Sequence, residues 1–588
     1  DSYAHSLIMK TFAIGKNSRL YKRLFTEEKL IDYLKVHSLS GLNNGIAILL
    51  VMPKKKADLD KIIQIFHFEL NLLQKFGLTD SEIHETKKEM IYFYRYSYEY
   101  VESLGSSLGS EELLTGFENY QKYPKYIRNL KKEHLDEVIS KYLQTDKLTI
   151  YHLGGRKLKI DDLLITLKES GKSRFTNGLS SDFYQTVLDN GLRIILKKVS
   201  GKPTIGISLT GEVSQLNERE SNLGINLLTS GLLLYGNQKR DYNHLLNFCS
   251  SNGINCSISP DPETTSVKMK CFQESLPLSL ELLSEIISYP QFPGKHLFNL
   301  KETYLSNIDR IEDYPQYNAI KLWKEHFFGR SSNLVNIEGN KSTIRRLSRK
   351  QVVNWFNNYY IPKNMTLALA GDFNFNHTLK NCEKLFSRNS QSTDILMQEP
   401  SFTLPAKKYK KAVQDNDQAI ITLGGFGCTA LQIEKNTAFH VLAQIIGGDT
   451  NSILFRELRE KRGLVYSVDF DFFSIRQLGY FMITAIVDKA EKSHTLSIIK
   501  DILNDIKTNG ILTEDLEKTK NYIRGQRLLE EESMLSRAQT LAILETLGFG
   551  YEFYLERERR LNAVNLRHLH EVAAEYFRDD NYYIHVLA

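Results

Sequence analysis

In the segment NSILFRELREKRGLVYSVDFDFF, Asn451 to Phe473, an arginine and a tyrosine stand seven residues apart across a predicted change of structure. Arg459 lies in a helical run that follows Ser452 and is broken by Gly463. Tyr466 opens a strand in which Tyr466, Val468, Phe470 and Phe472 alternate onto one face. The turn between them brings a guanidinium and a phenol to the rim of a sheet. Arginine offers planar donors that stay charged at any working pH, and tyrosine offers one hydroxyl donor. Together they suit a peptide carbonyl or a developing oxyanion.

A plainer reading of the same charges stands beside this one. Arg456, Glu457, Arg459, Glu460, Lys461 and Arg462 also describe a solvated helix end, with Glu457 and Lys461 as an ordinary i,i+4 pair. A family resemblance separates the two. The string FRELREKRGLVYSV resembles the arginine-tyrosine motif in the C-terminal half of the M16 (pitrilysin, insulinase, processing-peptidase) family of zinc peptidases. In that family the arginine, here Arg459, and the tyrosine, here Tyr466, contact substrate opposite the metal. The resemblance thus implies catalytic and substrate-binding roles for Arg459 and Tyr466.

Composition bounds the remaining possibilities. The 588 residues are 41% hydrophobic and 25% charged, the balance of a soluble globular chain with room for roughly three or four domains. No apolar run reaches the ~18 residues of a membrane span. Net charge is +6, with basic and acidic residues interleaved, which argues against a nucleic-acid surface. The five cysteines, Cys249, Cys256, Cys271, Cys382 and Cys428, lack CxxC spacing, so neither a disulfide framework nor a cysteine metal site is expected. The chain opens at Asp1 without a secretion signal, leaving the compartment open between periplasm and cytoplasm and suggesting that segments precede it.

Internal repeats divide the chain. Three segments share a helix, a polar turn and a short strand: VISKYLQTDKLTIYHLGG at 138 to 155, VVNWFNNYYIPKNMTLALAGDF at 352 to 373, and VAAEYFRDDNYYIHVLA at 572 to 588. A second repeat aligns Asn17, Ser18, Tyr21 and Leu24 with Asn451, Ser452, Phe455 and Leu458. It places Phe25 and Asp32 opposite Arg459 and Tyr466, so the first copy cannot grip substrate in the same way. LTDSEIHETKKEM from Leu78 matches LTEDLEKTKNYIR from Leu512, a threonine-capped helix with acids in its first turn. The expected layout is a domain at 1–155, a charged Gly/Ser-rich linker at 156–181, a domain at 182–395 and a domain at 396–588. The second domain opens with FYQTVLDNGLRIILKKV, two strands across an Asp-Asn-Gly turn, then the strand TIGISLTG. LDNGLRIIL is similar to the start of an M16 half.

M16 zinc domains carry HxxEH on a helix, with two histidine ligands, a glutamate base and a further glutamate downstream. Here the matching helix is SNLGINLLTSGLLLYG. Leu227 and Gly231 fall where the histidines would be, Ser230 at the base and Asn307 at the downstream glutamate. No metal ligands are therefore expected in this chain. Leu223, Leu227, Leu228, Leu232 and Leu234 read as a core-packing surface, and Gly231, which costs a helix roughly 1 kcal/mol against alanine, hints at a close backbone approach. His84, His568 and His570 lack the spacing of a zinc motif, and neither HExxH nor a GxSxG elbow occurs.

The resemblance implies an α+β fold of repeated LuxS/MPP-like metallohydrolase domains arranged as a clam-shell, with this chain matching the second, third and fourth of four domains. It implies a zinc endopeptidase cleaving peptides or unfolded polypeptides, with zinc expected in the full-length protein and its site upstream of residue 1. Substrate would add as a strand to a sheet edge. The expected partners are that polypeptide substrate and an M16 zinc domain or a second copy of the chain, with no nucleic acid and no membrane span. Two alternatives remain open: a non-catalytic M16-like subunit or scaffold, and an arginine-tyrosine partner of a separate zinc-bearing subunit.

Overall fold

The computed structural model describes residues 1–40, 45–54, 59–114, 116–144, 148–150, 183–329, 339–387, 409–412 and 418–588. The 156–181 linker lies outside them, as does most of the strand expected after residue 147.

Among the described residues thirteen strands form three sheets. β1 (Ile31–Ser40) and β2 (Gly45–Pro53) make an antiparallel pair. The six-stranded sheet contains β3 (Phe183–Val187), β4 (Arg193–Lys198), β5 (Thr204–Gly211), β6 (Asn255–Pro260), β7 (Thr265–Phe272) and β8 (Met365–Gly371), in the order β3-β4-β8-β5-β7-β6. The five-stranded sheet contains β9 (Tyr409–Ala412), β10 (Gln418–Phe426), β11 (Val465–Ser474), β12 (Gly479–Asp488) and β13 (Tyr583–Leu587), in the order β11-β12-β10-β13-β9. Pairing is antiparallel except between β4 and β8 and between β13 and β9. The fold is α+β.

Local chemistry explains these elements. The Asp189-Asn190-Gly191 turn joins β3 to β4, and Gly191 takes φ 85°, which costs least at glycine. β5 is buried at every position, as its apolar run requires in an interior strand. Thr79 and Glu82 close a capping box on the helix Asp80–Ser97. Its counterpart Thr513–Glu530 departs from expectation, because Thr513 is already helical and Leu512 takes the cap position without a side-chain bond. The helix-turn-strand repeats appear as Arg349–Tyr359 with β8 and Leu566–Tyr576 with β13.

Apolar side chains gather into three main clusters, drawn from residues 4 to 139, 192 to 386, and 419 to 588. The last two are joined by an exchange of helices. Pro315–Phe328 leaves the second group and lies on the five-stranded sheet, where fully buried Trp323 donates from Nε1 to the Tyr583 carbonyl at 3.1 Å. Gly424 makes room for that indole, since a Cβ there would come within 2.6 Å of it. In return Met534–Thr546 lies on the six-stranded sheet, and a Cβ on Gly206 would stand 2.2 Å from the Met534 carbonyl oxygen. Thr546 closes the contact with an Oγ1–Thr366 Oγ1 hydrogen bond of 2.9 Å.

Glu99, 1% exposed, ties the first group to both others. Its Oε1 accepts from Thr204 Oγ1 at 2.7 Å and from the Met534 amide at 3.1 Å, while Oε2 pairs with Lys270. Buried charge persists only when paired and hydrogen-bonded, so removing a partner from either of the other groups would leave Glu99 uncompensated.

Candidate functional site

The Arg459 segment winds wider than a plain helix. Phe455–Glu460 is a π-helical turn, with Leu454 and Leu458 anchored in the core, and the Leu464 amide reaches back to the Leu458 carbonyl at 2.9 Å. Gly463, at φ 64°, provides the left-handed residue that reverses the chain. Wide turns of this type commonly mark functional positions.

The strand then breaks its own alternation. Between Val465 and Ser467 the pairing of β11 with β12 shifts by one, so Tyr466 is the extra residue of a β-bulge. Strict alternation predicts Tyr466 on the face of Val468 and Phe470. The bulge overturns that expectation: Val465 is buried with Val468 and Phe470, whereas Tyr466 is 56% exposed. Among the described residues β11 is also an edge strand, paired with β12.

Arg459 is exposed, and its Nη1 donates to the Val465 carbonyl at 2.6 Å, fixing the guanidinium beside the residue that precedes Tyr466. The other cations of the segment are paired. Arg456 Nη1 meets Asp515 at 3.2 Å, and Glu457 takes Lys461 at 2.5 Å and Arg462 at 2.6 Å. Hydrogen bonds from Arg462 and then Lys461 hold the Glu457 carboxyl below its usual range. The ordinary i,i+4 pair therefore exists, alongside an exposed arginine that donates from Nη1 to backbone.

The repeat in the first group reproduces the scaffold without the chemistry. Lys22–Glu27 is again π-helical, and β1 carries a bulge at Asp32 as β11 does at Tyr466. Phe25 stacks on Tyr21 at 4.7 Å, and Asp32 meets Lys54 at 3.8 Å and Ser306 Oγ at 3.4 Å. Both positions are engaged in packing and pairing.

At the position of the family's metal the side chains do not fit zinc. Leu227 and Gly231 have no donor atoms, and Ser230 Oγ donates to the Leu227 carbonyl at 3.1 Å. The helix is shorter than its apolar pattern, Ile225–Leu232, with Leu228 and Leu232 in the core and Leu223 and Leu227 half-buried. Gly231 is closely approached, but by side chains and not by the backbone expected: a Cβ would lie 2.6 Å from the Tyr304 phenol oxygen and 2.9 Å from Leu300 Cδ2. Among the described residues no group of three or more His, Cys, Asp or Glu side chains could hold a metal ion.

A buried acid that sequence reasoning did not single out caps this helix. Glu218 accepts from the amides of Gly224 at 2.7 Å and Asn226 at 2.8 Å, and burial pushes its carboxyl up to about 8 against those bonds. Asn226 extends the network, its Oδ1 accepting from Trp355 Nε1 and the Tyr360 hydroxyl. Glu218 lies six residues before Gly224, outside any cap spacing, so the sequence carried no sign of it.

The chain is similar to known proteins along much of its length. Residues 193–332 match the family model described as insulinase (peptidase family M16), and residues 346–523 the one described as the peptidase M16 inactive domain. An uncharacterized zinc protease YmxG of Bacillus subtilis is 24% identical over 392 residues, 66% of this chain and 95% of that protein. A non-peptidase homolog YmxG of Helicobacter pylori is 20% identical over 364 residues, 61% of this chain and 82% of that protein. The crystal structure of a protease from Helicobacter pylori superposes with a TM-score of 0.63 at 17% identity, covering 69% of this chain and 99% of that one. Among the described residues no helix is long and apolar enough to cross a membrane.

Proposed function

Because this chain belongs to the M16 peptidase family, we propose that it is the substrate-holding portion of a zinc-dependent endopeptidase acting on peptides or unfolded polypeptides, its metal ligands lying outside these residues. The observation that carries this reading is the pairing of Arg459, bonded to the Val465 carbonyl, with Tyr466, turned outward by the bulge. A scaffold has no need of either.

In this account the guanidinium and the phenol donate to the peptide carbonyl under attack, and their bonds strengthen as its oxygen gains charge. The open edge of β11 offers main-chain donors and acceptors to an extended substrate. Main-chain pairing is blind to side-chain identity, so selection rests on length and extended conformation.

A Tyr466→Phe variant of the complete protein tests this. Loss of one oxyanion donor lowers kcat by about 10- to 1,000-fold with little change in fold. An unchanged kcat would remove Tyr466 from the mechanism.

A second reading, a non-catalytic M16 subunit, is favoured by the donor-free side chains at Leu227 and Gly231 and by similarity to a relative named a non-peptidase homolog. It differs in one measurable respect, since substituting Arg459 or Tyr466 would then leave every activity of the assembly unchanged.

A further inference from the structure

The helix Pro315–Phe328 leaves a hollow on the sheet that it covers. Its small Ala319 is fully buried in one apolar cluster with Ile420 and Leu587, which holds helix and sheet together. One turn earlier Pro315 opens the helix, and Tyr314 before it takes extended backbone at φ −94° and ψ 112°. There Tyr314, Pro315 and Tyr317 line a cavity of about 240 Å³ together with Ile420, Ile486 and Leu587. The two phenol rings meet edge to face at 6.1 Å and are 55 and 60% exposed, whereas Ile420 and Leu587 are each only 4% exposed.

Sheet register places this hollow beside Tyr466. Ser467, the next residue, pairs with Ile486 on β12, Ile486 with Ile420 on β10, and Ile420 with Leu587 on β13. Directly paired residues share a face of a sheet, so one small hydroxyl side chain on the edge strand and three apolar ones form a single row at the level of the bulge. Strands lie about 4.8 Å apart, so a polypeptide added to the edge of β11 stands about 10 Å from Ile486. Only half-buried Ser467 intervenes in that row.

Size and chemistry define what the hollow takes. About 150 Å³ holds a benzene ring, and sites for small molecules run from about 300 Å³ upward, so about 240 Å³ suits one large side chain. Among the described residues no charged side chain lines it, and its exposed rings favour another ring in offset or edge-to-face contact. Gln316 and Gln418 complete the lining with amide groups suited to a phenol hydroxyl or an indole N–H.

We propose that this hollow is a side-chain subsite of the β11 edge and takes an aromatic residue of the extended polypeptide held at Arg459 and Tyr466. The proposal rests on the reading of that edge as the place where a polypeptide is held, and it is independent of where a metal lies. It adds a chemical preference to a main-chain interaction that has none. Among polypeptides able to pair with β11, those with an aromatic residue close to the held carbonyl bind in preference.

Fluorescence anisotropy of short labelled peptides on the 588-residue chain tests this. One peptide is an extended Ser/Thr-rich sequence with a single tryptophan, and the other has alanine in its place. The tryptophan peptide binds about 10- to 100-fold more tightly, the effect of burying one ring. Tyr317→Ala removes most of that preference by opening the hollow at an exposed position. Ile486→Trp removes it by filling the hollow. Arg459→Ala weakens both peptides alike, since it acts on the main chain that they share. Equal affinities, or a preference that survives both hollow variants, overturn the subsite, while weakening by Arg459→Ala in that case preserves the held edge. A preference abolished by Tyr317→Ala, with both affinities untouched by Arg459→Ala, overturns the link to Arg459 and Tyr466. No measurable binding of either peptide overturns both.

Discussion

Arg459 Nη1 donates to the carbonyl of Val465 at 2.6 Å, so the guanidinium is fixed to the backbone one residue before exposed Tyr466. This bond spans the π-helical turn, Gly463 and the start of β11, and it converts a sequence spacing of seven into proximity at a sheet edge. The remaining guanidinium donors keep their fork geometry.

Replacement of Arg459 by lysine therefore removes function more than stability. A hydrogen bond from a charged donor contributes about 1.5–3 kcal/mol, so Arg459→Lys lowers kcat/KM of the complete protein about 10- to 100-fold. Its unfolding midpoint stays near that of the wild type, because the side chain is exposed. Steady-state kinetics with an unstructured peptide and a denaturant titration check both halves. A large fall in stability with intact kinetics would make Arg459 a structural residue.

Gly231 gives a prediction opposite to helix propensity. Alanine is better than glycine in a helix by about 1 kcal/mol, yet here the added methyl meets the Tyr304 oxygen at 2.6 Å and Leu300 at 2.9 Å. Overpacking costs about 1–3 kcal/mol, so Gly231→Ala destabilises the chain. Tyr304→Phe in the same chain restores part of the loss by deleting the closer atom. Urea titrations of the three variants decide it, and a more stable Gly231→Ala would show that the neighbouring helix yields.

Much of the scaffold was legible because it repeats. The helix before β8, the helix before β13 and the Asp-Asn-Gly hairpin follow from apolar periodicity and turn chemistry. The outward turn of Tyr466 was not legible, because alternation assumes an unbroken ladder and a bulge resets its parity. Trp323 and Leu541 are each buried against a sheet from the other group, which no pattern within their own segments names. Periodicity reports that a face is apolar without naming what covers it. Glu218 and Glu99 were invisible for a related reason, since a single acid in a polar stretch gains its partners only on folding.

Glu218 sets a pH dependence with a definite sign. Its carboxyl rises from an ordinary 4.5 to about 8 in the folded chain because burial outweighs the bonds from Gly224 and Asn226. Between those values the folded state holds a proton that the unfolded state has lost, so this group's contribution to stability falls as pH rises from about 4.5 to about 8 and then levels. Glu218→Gln removes the titration and keeps an acceptor for one of the two amides, which bond to different carboxyl oxygens, so its midpoint is lower at every pH and only the shape of the profile is compared. Unfolding midpoints from pH 5 to 9 flatten in the variant relative to the wild type, and parallel profiles would show that Glu218 is not the group responsible.

The central claim, a substrate-holding portion whose metal is provided elsewhere, meets its most direct test in zinc content and peptide hydrolysis measured together on the intact protein and on the 588-residue chain. The account predicts one zinc per molecule and chelator-sensitive cleavage of an unfolded polypeptide for the intact protein, with neither for the chain alone. An intact protein that holds no zinc and cleaves nothing would contradict it and leave the non-catalytic M16 subunit.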